Sequence, residues 1–198
     1  MSLRASYTLF APFYDTLIAR ATAAARARSL CWLGKLAQQE VLLSGIGTGL
    51  DMAFAPAQHR YTGLDITRAM LAKIPSHSNL VLVEGDSQRL PFADHTFDHA
   101  VLHLILAVVP DGRRCLAETA RVVKPGGSIL VLDKFLRRGA LAPLRRLLTP
   151  LSGQIATRLD VVLEDLLQTT PSLAVASDEA AILGGWFRLV RLEKTATT

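Results

Sequence analysis

A chain of 198 residues, half of them hydrophobic and a fifth charged, suits one globular domain with a sizeable core and excludes a disordered or fibrous protein. Charges interrupt each apolar stretch before the roughly 18 residues that a membrane helix needs. Met1-Ser-Leu-Arg-Ala lacks the apolar core of a signal peptide, so a cytoplasmic location is expected. The net charge of +5 favours anionic partners, and only five of the 22 basic residues are lysines, which leaves a large excess of arginine, whose planar fork binds phosphate bidentately.

Residues 1–39 read as a helical prelude. Phe10, Phe13, Tyr14, Leu17, Ile18 and Ala21 recur at three- and four-residue spacing, with Pro12 well placed at a helix start. Arg20, Arg26 and Arg28 follow, then Leu30, Trp32 and Leu33, and Gly34 marks the stop. The pattern fits an ordinary amphipathic helix packed on the domain, or else a lid or membrane-contacting helix. Cys31 and Cys115 lie in separate helical segments without a CxxC or Cys/His cluster, which predicts packed thiols. The five histidines are scattered, so no metal is expected.

From Glu40 strand and helix alternate. Val41-Leu-Leu-Ser-Gly-Ile-Gly-Thr-Gly49 is a buried strand at about 40–44 entering a glycine-rich turn, and the helix after it is short, ending near Pro56. Tyr61-Thr-Gly-Leu-Asp65 carries the second strand, at about 60–64, with a helix over Thr67–Lys73 behind it. The third strand, Leu80-Val-Leu-Val-Glu84, runs into Gly85-Asp86. Glycines after a first strand let the backbone approach a ligand, and a carboxylate at the end of the second accepts both ribose hydroxyls. Three successive strand ends presenting Gly, Asp and Asp point to a nucleoside-bearing cofactor.

Phe97-Asp-His-Ala-Val-Leu-His103 is a fourth strand, and a helix over Gly112–Val122 turns Arg113, Arg114, Glu118 and Arg121 outward and Leu116, Ala120 and Val123 inward. Lys124-Pro-Gly-Gly127 reads as a sharp turn before a fifth strand, Ser128-Ile-Leu-Val-Leu132. Arg137, Arg138, Arg145 and Arg146 then interleave with Leu136, Leu141, Leu144, Leu147 and Leu148 in a basic amphipathic stretch broken by Gly139 and Pro143. After a helix near Asp160–Leu167, Leu173-Ala-Val-Ala and Trp186-Phe-Arg-Leu-Val-Arg-Leu192 alternate at period two around Gly184-Gly185, which predicts a terminal antiparallel pair. Val- and Leu-rich strands alternating with helices imply an α/β domain over 40–198, its mostly parallel sheet covered on both faces.

A nicotinamide dehydrogenase would share the glycine turn and the acid after the second strand. Three features argue otherwise. The first helix is short and lacks the third glycine of GxGxxG, where Asp51 or Met52 falls; Asp86 supplies a second acid; and the chain ends in an antiparallel pair rather than a substrate domain. Ser-Gly-Ile-Gly-Thr-Gly (44–49), Gly-Leu-Asp-Ile-Thr-Arg-Ala-Met-Leu (63–71), Glu-Gly-Asp-Ser-Gln-Arg-Leu-Pro-Phe (84–92) and Arg-Val-Val-Lys-Pro-Gly-Gly (121–127) together resemble the class I S-adenosylmethionine-dependent methyltransferases. The resemblance implies a Rossmann-like doubly wound sheet and S-adenosyl-L-methionine as cofactor. Carried onto these positions, it implies that Gly45, Gly47 and Gly49 face the methionine part and Asp65 the ribose hydroxyls. Ile66 and Met70 would pack on adenine, Asp86 and the Ser87 backbone would read its edge, and His103 and Leu104 would sit nearest the sulfonium. One position departs from the pattern: the acid usual two residues before the first glycine is Leu43 here.

For the methyl acceptor, Tyr7-Thr-Leu-Phe-Ala-Pro-Phe-Tyr-Asp15 resembles the opening of bacterial phospholipid N-methyltransferases and of the related quinone C-methyltransferases. His103-Leu-Ile-Leu-Ala-Val-Val-Pro-Asp111 resembles the segment after the fourth strand in the phospholipid enzymes, whereas Asp133-Lys-Phe matches their Asn-His-Phe at one residue only. These resemblances imply a phospholipid amine acceptor at the inner membrane surface, with Tyr14 and His103 lining the reacting centre and His103 as a candidate base. An anionic bilayer attracts such a basic stretch by roughly 1 kcal/mol per Lys or Arg. Another small or lipophilic acceptor, such as a quinone or a secondary metabolite, is the alternative, as is a non-catalytic cofactor-binding protein. No nucleic-acid partner is expected.

Overall fold

The computed structural model describes residues 20–34, 38–136 and 161–195. Seven strands, β1 (Glu40–Ser44), β2 (Arg60–Asp65), β3 (Leu80–Glu84), β4 (Phe97–His103), β5 (Val123–Lys134), β6 (Leu173–Ile182) and β7 (Phe187–Lys194), form one sheet in the order β3-β2-β1-β4-β5-β7-β6. The first five run parallel, and β7 is antiparallel to both its neighbours. Strand order therefore reverses between β1 and β4. In open α/β sheets the crevice beyond the carboxyl ends at such a reversal is the place where ligands bind.

Both sheet faces are covered, which is why the central strands read as apolar runs rather than alternating ones. Leu42, Leu102, Val131 and Val190 pack on one side against Leu116 of α3 (Gly112–Val122) and Leu163 and Leu166 of α4 (Leu163–Leu167). Val41, Leu43, Tyr61, Val101 and Leu130 face the other side, against Leu30 and Leu33 at the end of helix α1 (20–31) and against Ile74. Leu43, where an acid was the family expectation, is thus core. The Asp111 side chain caps α3 by accepting the Arg113 and Arg114 backbone N–H groups at 3.0 and 3.1 Å.

Several boundaries differ from the sequence reading. The helix behind β2, α2 (Arg68–Leu71), is a single turn, and only a 3-10 turn over Leu50–Ala53 follows β1. The Lys-Pro-Gly-Gly turn lies inside β5 as a bulge, for the register moves from Phe97 opposite Val123 to His99 opposite Ser128. Lys124 is anchored there to Asp98 at 2.7 Å. The antiparallel pair is longer than predicted because β6 runs on to Ile182. Cys115 is a packed thiol, pushed up to about 12 by burial, but Cys31 is exposed on the outer side of α1, contrary to expectation. Tyr7 to Asp15, with Tyr14, and the basic stretch with Arg137, Arg138, Arg145 and Arg146 lie outside the described residues.

Candidate active site

The glycine turn is held to the end of β2 by its own backbone: the Gly45 and Ile46 N–H groups both donate to the Leu64 carbonyl, at 2.8 and 3.0 Å. Its glycines serve different needs. A Cβ on Gly45 would stand 2.6 Å from Ile105 Cδ1, so this position is glycine because the chain beyond β4 packs on it. A Cβ on Gly47, at φ +57, would meet nothing within 4 Å, which places its bare backbone against open space at the carboxyl end of the sheet.

Asp65 closes β2 against the same turn. Its Oδ2 accepts the Gly47 N–H at 2.9 Å and its Oδ1 the Thr67 N–H at 2.8 Å. Burial pushes the carboxyl above the usual carboxylate range, and these two N–H groups pull it back. Each oxygen keeps acceptor capacity for one further donor. Next to it Ile66 is 48% exposed, and with Glu84, Gly85 and Asp86 it lines an open cleft of ≈ 480 Å³. Asp86 accepts the Gln88 backbone N–H at 2.8 Å and the Gln88 side-chain amide at 3.1 Å. Ser87 is tied back to the end of β1 by the Ser44 hydroxyl at 2.9 Å. Arg121 fixes the loop beyond by donating to the Leu90 and Phe92 carbonyls and to Glu118, so two separately recognised motifs meet in one bracket.

At the end of β4 the structure does something the sequence did not suggest. His103 is turned inward, its side chain 1% exposed, and both ring nitrogens are engaged. Nδ1 lies 2.6 Å from Asp51 Oδ1 and Nε2 lies 2.9 Å from Ser29 Oγ. The same Asp51 oxygen accepts Arg26 Nη1 at 2.7 Å, and Arg26 Nε donates to Thr22 at 3.0 Å. Arg26 and His103 beside Asp51 hold its carboxyl well below the usual range despite full burial. The next residue, Leu104, adopts φ +61, a left-handed conformation uncommon for a residue with a Cβ, and this kink carries Ile105 onto Gly45.

Known proteins resemble this chain in sequence and in fold. Residues 42–131 match the family model described as a methyltransferase domain. Phosphatidylethanolamine N-methyltransferase of Cereibacter sphaeroides is 29% identical over 162 residues, 78% of this chain and 79% of that one. Demethylmenaquinone methyltransferase of Bacillus licheniformis is 43% identical over 75 residues, 36% of this chain and 32% of its own length. A solved S-adenosylmethionine-dependent methyltransferase of Thermotoga maritima superposes with a TM-score of 0.74 at 18% identity, covering 98% of this chain and all of that one, a likeness of fold alone. Together these likenesses support a class I S-adenosylmethionine-dependent methyltransferase.

In this methyltransferase the residues present fit the cofactor. The open backbone of Gly47 is bonded to Asp65, a carboxylate with spare acceptors, Asp65 adjoins the exposed apolar Ile66 that lines the cleft, and the partly buried Met70 lies on the short helix α2. Asp51, Arg26 and Ser29 were not singled out from sequence as site residues. The available signals were a single acid inside Gly-Leu-Asp-Met-Ala-Phe (49–54) and the placing of Thr22, Arg26 and Ser29 at helical spacing among the inward positions of α1.

Asp133 is a second buried acid, 0% exposed at the end of β5. Its carboxylate accepts the Ala107 and Lys134 N–H groups at 3.1 and 2.7 Å, which clamps the loop after β4, yet burial still raises it to about 6. Because the folded state favours the protonated acid, this contribution to stability is full below about pH 4 and is lost as pH rises through about 6, a change on the order of 3 kcal/mol. Comparing melting temperatures of the methyltransferase and Asp133→Asn across pH 4 to 8 isolates the effect. The natural chain should lose stability relative to the variant over this rise; a pH-independent difference would contradict the assignment.

Proposed function

We propose that this methyltransferase transfers methyl groups to a phospholipid amine at an anionic membrane surface. The observation that carries the reading is the extent of likeness. The similarity to the phosphatidylethanolamine enzyme runs over 162 residues, beyond the matched methyltransferase domain at 42–131, whereas that to the quinone enzyme runs over 75 residues and about a third of its length. Segments outside the shared domain are those free to vary with the acceptor. No helix among the described residues is long and apolar enough to cross a membrane. In sequence, the basic 136–148 stretch is the candidate for contact with an anionic lipid surface.

In this reading Gly47 leaves room for the methionine end of the cofactor, Gly45 and Gly49 let the turn close against Ile105 and Ile74 around it, and Asp65 binds the ribose hydroxyls. Ile66 and Met70 flank the adenine, Asp86 and the Ser87 N–H read its edge, and Leu104 closes on the reacting end. Bound there, S-adenosyl-L-methionine supplies a methyl group on a sulfonium. The chain's own task is to align the acceptor in line with that bond and to exclude water, which supplies much of the rate in a displacement of this kind. Tyr14 remains the proposed wall group over the reacting centre. His103, with both nitrogens engaged inside the protein, is proposed to hold the end of β4 in place rather than to take the acceptor's proton.

The test supplies purified protein with methyl-labelled donor and, in parallel, vesicles containing phosphatidylethanolamine and vesicles containing demethylmenaquinone. Label should enter the amine headgroup and be stimulated by anionic lipid, with the stimulation falling as salt rises. Label confined to the quinone, or to the aqueous fraction, would dispose of the phospholipid reading.

A further inference from the structure

The glycine turn is braced from two directions. On the β2 side it hangs on the Leu64 carbonyl and on Asp65. On the other side, Asp51 follows the turn immediately, and one of its oxygens is shared by Arg26 of α1 and His103 of β4. Ser29 completes the ring of contacts from the next turn of α1. The members are almost wholly buried, from 0% at Ser29 to 6% at Arg26, so their charges are desolvated and depend on one another. Removing one partner leaves the others unpaired, and an unpaired buried charge is costly. By contrast the second charged tie of α1, Arg28 with Glu179, is exposed, and pairs of that kind contribute little.

We propose that Arg26, Asp51, His103 and Ser29 form a latch that couples docking of helix α1 to occupation of the cofactor cleft, with Asp51 as the positioning residue. The inference rests on the reading of the Gly45–Gly49 turn as the donor site. Donor binding orders the turn, the ordered turn fixes Asp51, and Asp51 fixes both α1 and the end of β4. Coupling of this sort is reciprocal, so a docked α1 raises donor affinity by the same factor by which donor raises docking. Leu43 is core, and the buried carboxylate near the turn is Asp51, two residues beyond Gly49 and held by Arg26 and His103.

The experiment measures two quantities on the full chain: affinity for S-adenosylhomocysteine by calorimetry, and the rate of tryptic cleavage at Arg20 and Arg28, both exposed on α1. In the natural protein the ligand should slow cleavage by about tenfold, a typical coupling. Asp51→Asn and Arg26→Met should each weaken affinity about tenfold and abolish the protection, the double variant should be no worse than either single, and Arg26→Lys should recover most of the loss. Ser29→Ala removes only the uncharged contact to His103 Nε2 and keeps the test available should Asp51→Asn fail to fold; it is expected to weaken affinity about threefold and halve the protection. Folded variants with affinity within twofold of the natural chain, or with protection intact, would overturn the latch. Failure of the unsubstituted chain to bind S-adenosylhomocysteine would instead overturn the donor site itself, and the latch with it.

Discussion

Asp65→Ala is expected to lower donor affinity by roughly a thousandfold while leaving the fold intact. The carboxylate holds the Gly47 and Thr67 N–H groups, and each of its oxygens keeps one acceptor for a ribose hydroxyl. Hydrogen bonds to a charged group contribute about 1.5–3 kcal/mol each, so losing both to the sugar accounts for roughly 3–6 kcal/mol. Loss of the anchor for Gly47 adds to that, because the turn must then be ordered at the expense of binding energy. Asp65→Asn keeps one acceptor and should fall between the two. Calorimetry with S-adenosylhomocysteine reads the affinity, and a melting curve reads the fold. An alanine variant that binds within tenfold of the natural protein would remove Asp65 from the donor site.

Gly47→Val is the second large effect, and its signature is selective. At φ +57 a β-branched residue is strained by about 1–2 kcal/mol, a modest cost to the fold. Nothing in the protein lies within 4 Å of the new Cβ, so the side chain would stand in the space assigned to the donor. Affinity should drop at least a hundredfold with only a few degrees lost from the melting temperature. Gly45→Ala is the matching control. There the new methyl meets Ile105 at 2.6 Å, so stability should suffer first and affinity only through the displaced loop. Comparable losses of stability in both variants, with donor binding retained in Gly47→Val, would show that the open face of the turn is not where the donor lies.

The two glycines illustrate what could and could not be read in advance. Both were assigned to the ligand from the motif alone. Their sorting into one that admits a side chain of its own protein and one that faces open space required knowing where Ile105 lands, which depends on the left-handed Leu104 after β4. Asp65 and Asp86 were legible because an acid at the end of a parallel strand is placed by the strand itself. His103 was legible as a residue at a strand end, but not in its orientation. Whether an imidazole points into the cleft or back into the protein is decided by partners 52 and 74 positions away.

What the amino-acid sequence determined by itself is the local and periodic part: apolar runs for strands covered on both sides, glycines at the first turn, an acid at each of the next two strand ends, and the alternating pair near the C-terminus. These follow from backbone conformation and from a pattern of two or 3.6 residues, which neighbours in the chain suffice to express. The tertiary structure alone decided that Cys31 is exposed, that Lys-Pro-Gly-Gly bulges within β5, and that Arg26, Asp51, Ser29 and His103 share one buried cluster. A charge is tolerated inside only when partners from distant segments arrive together, and no local pattern encodes that meeting.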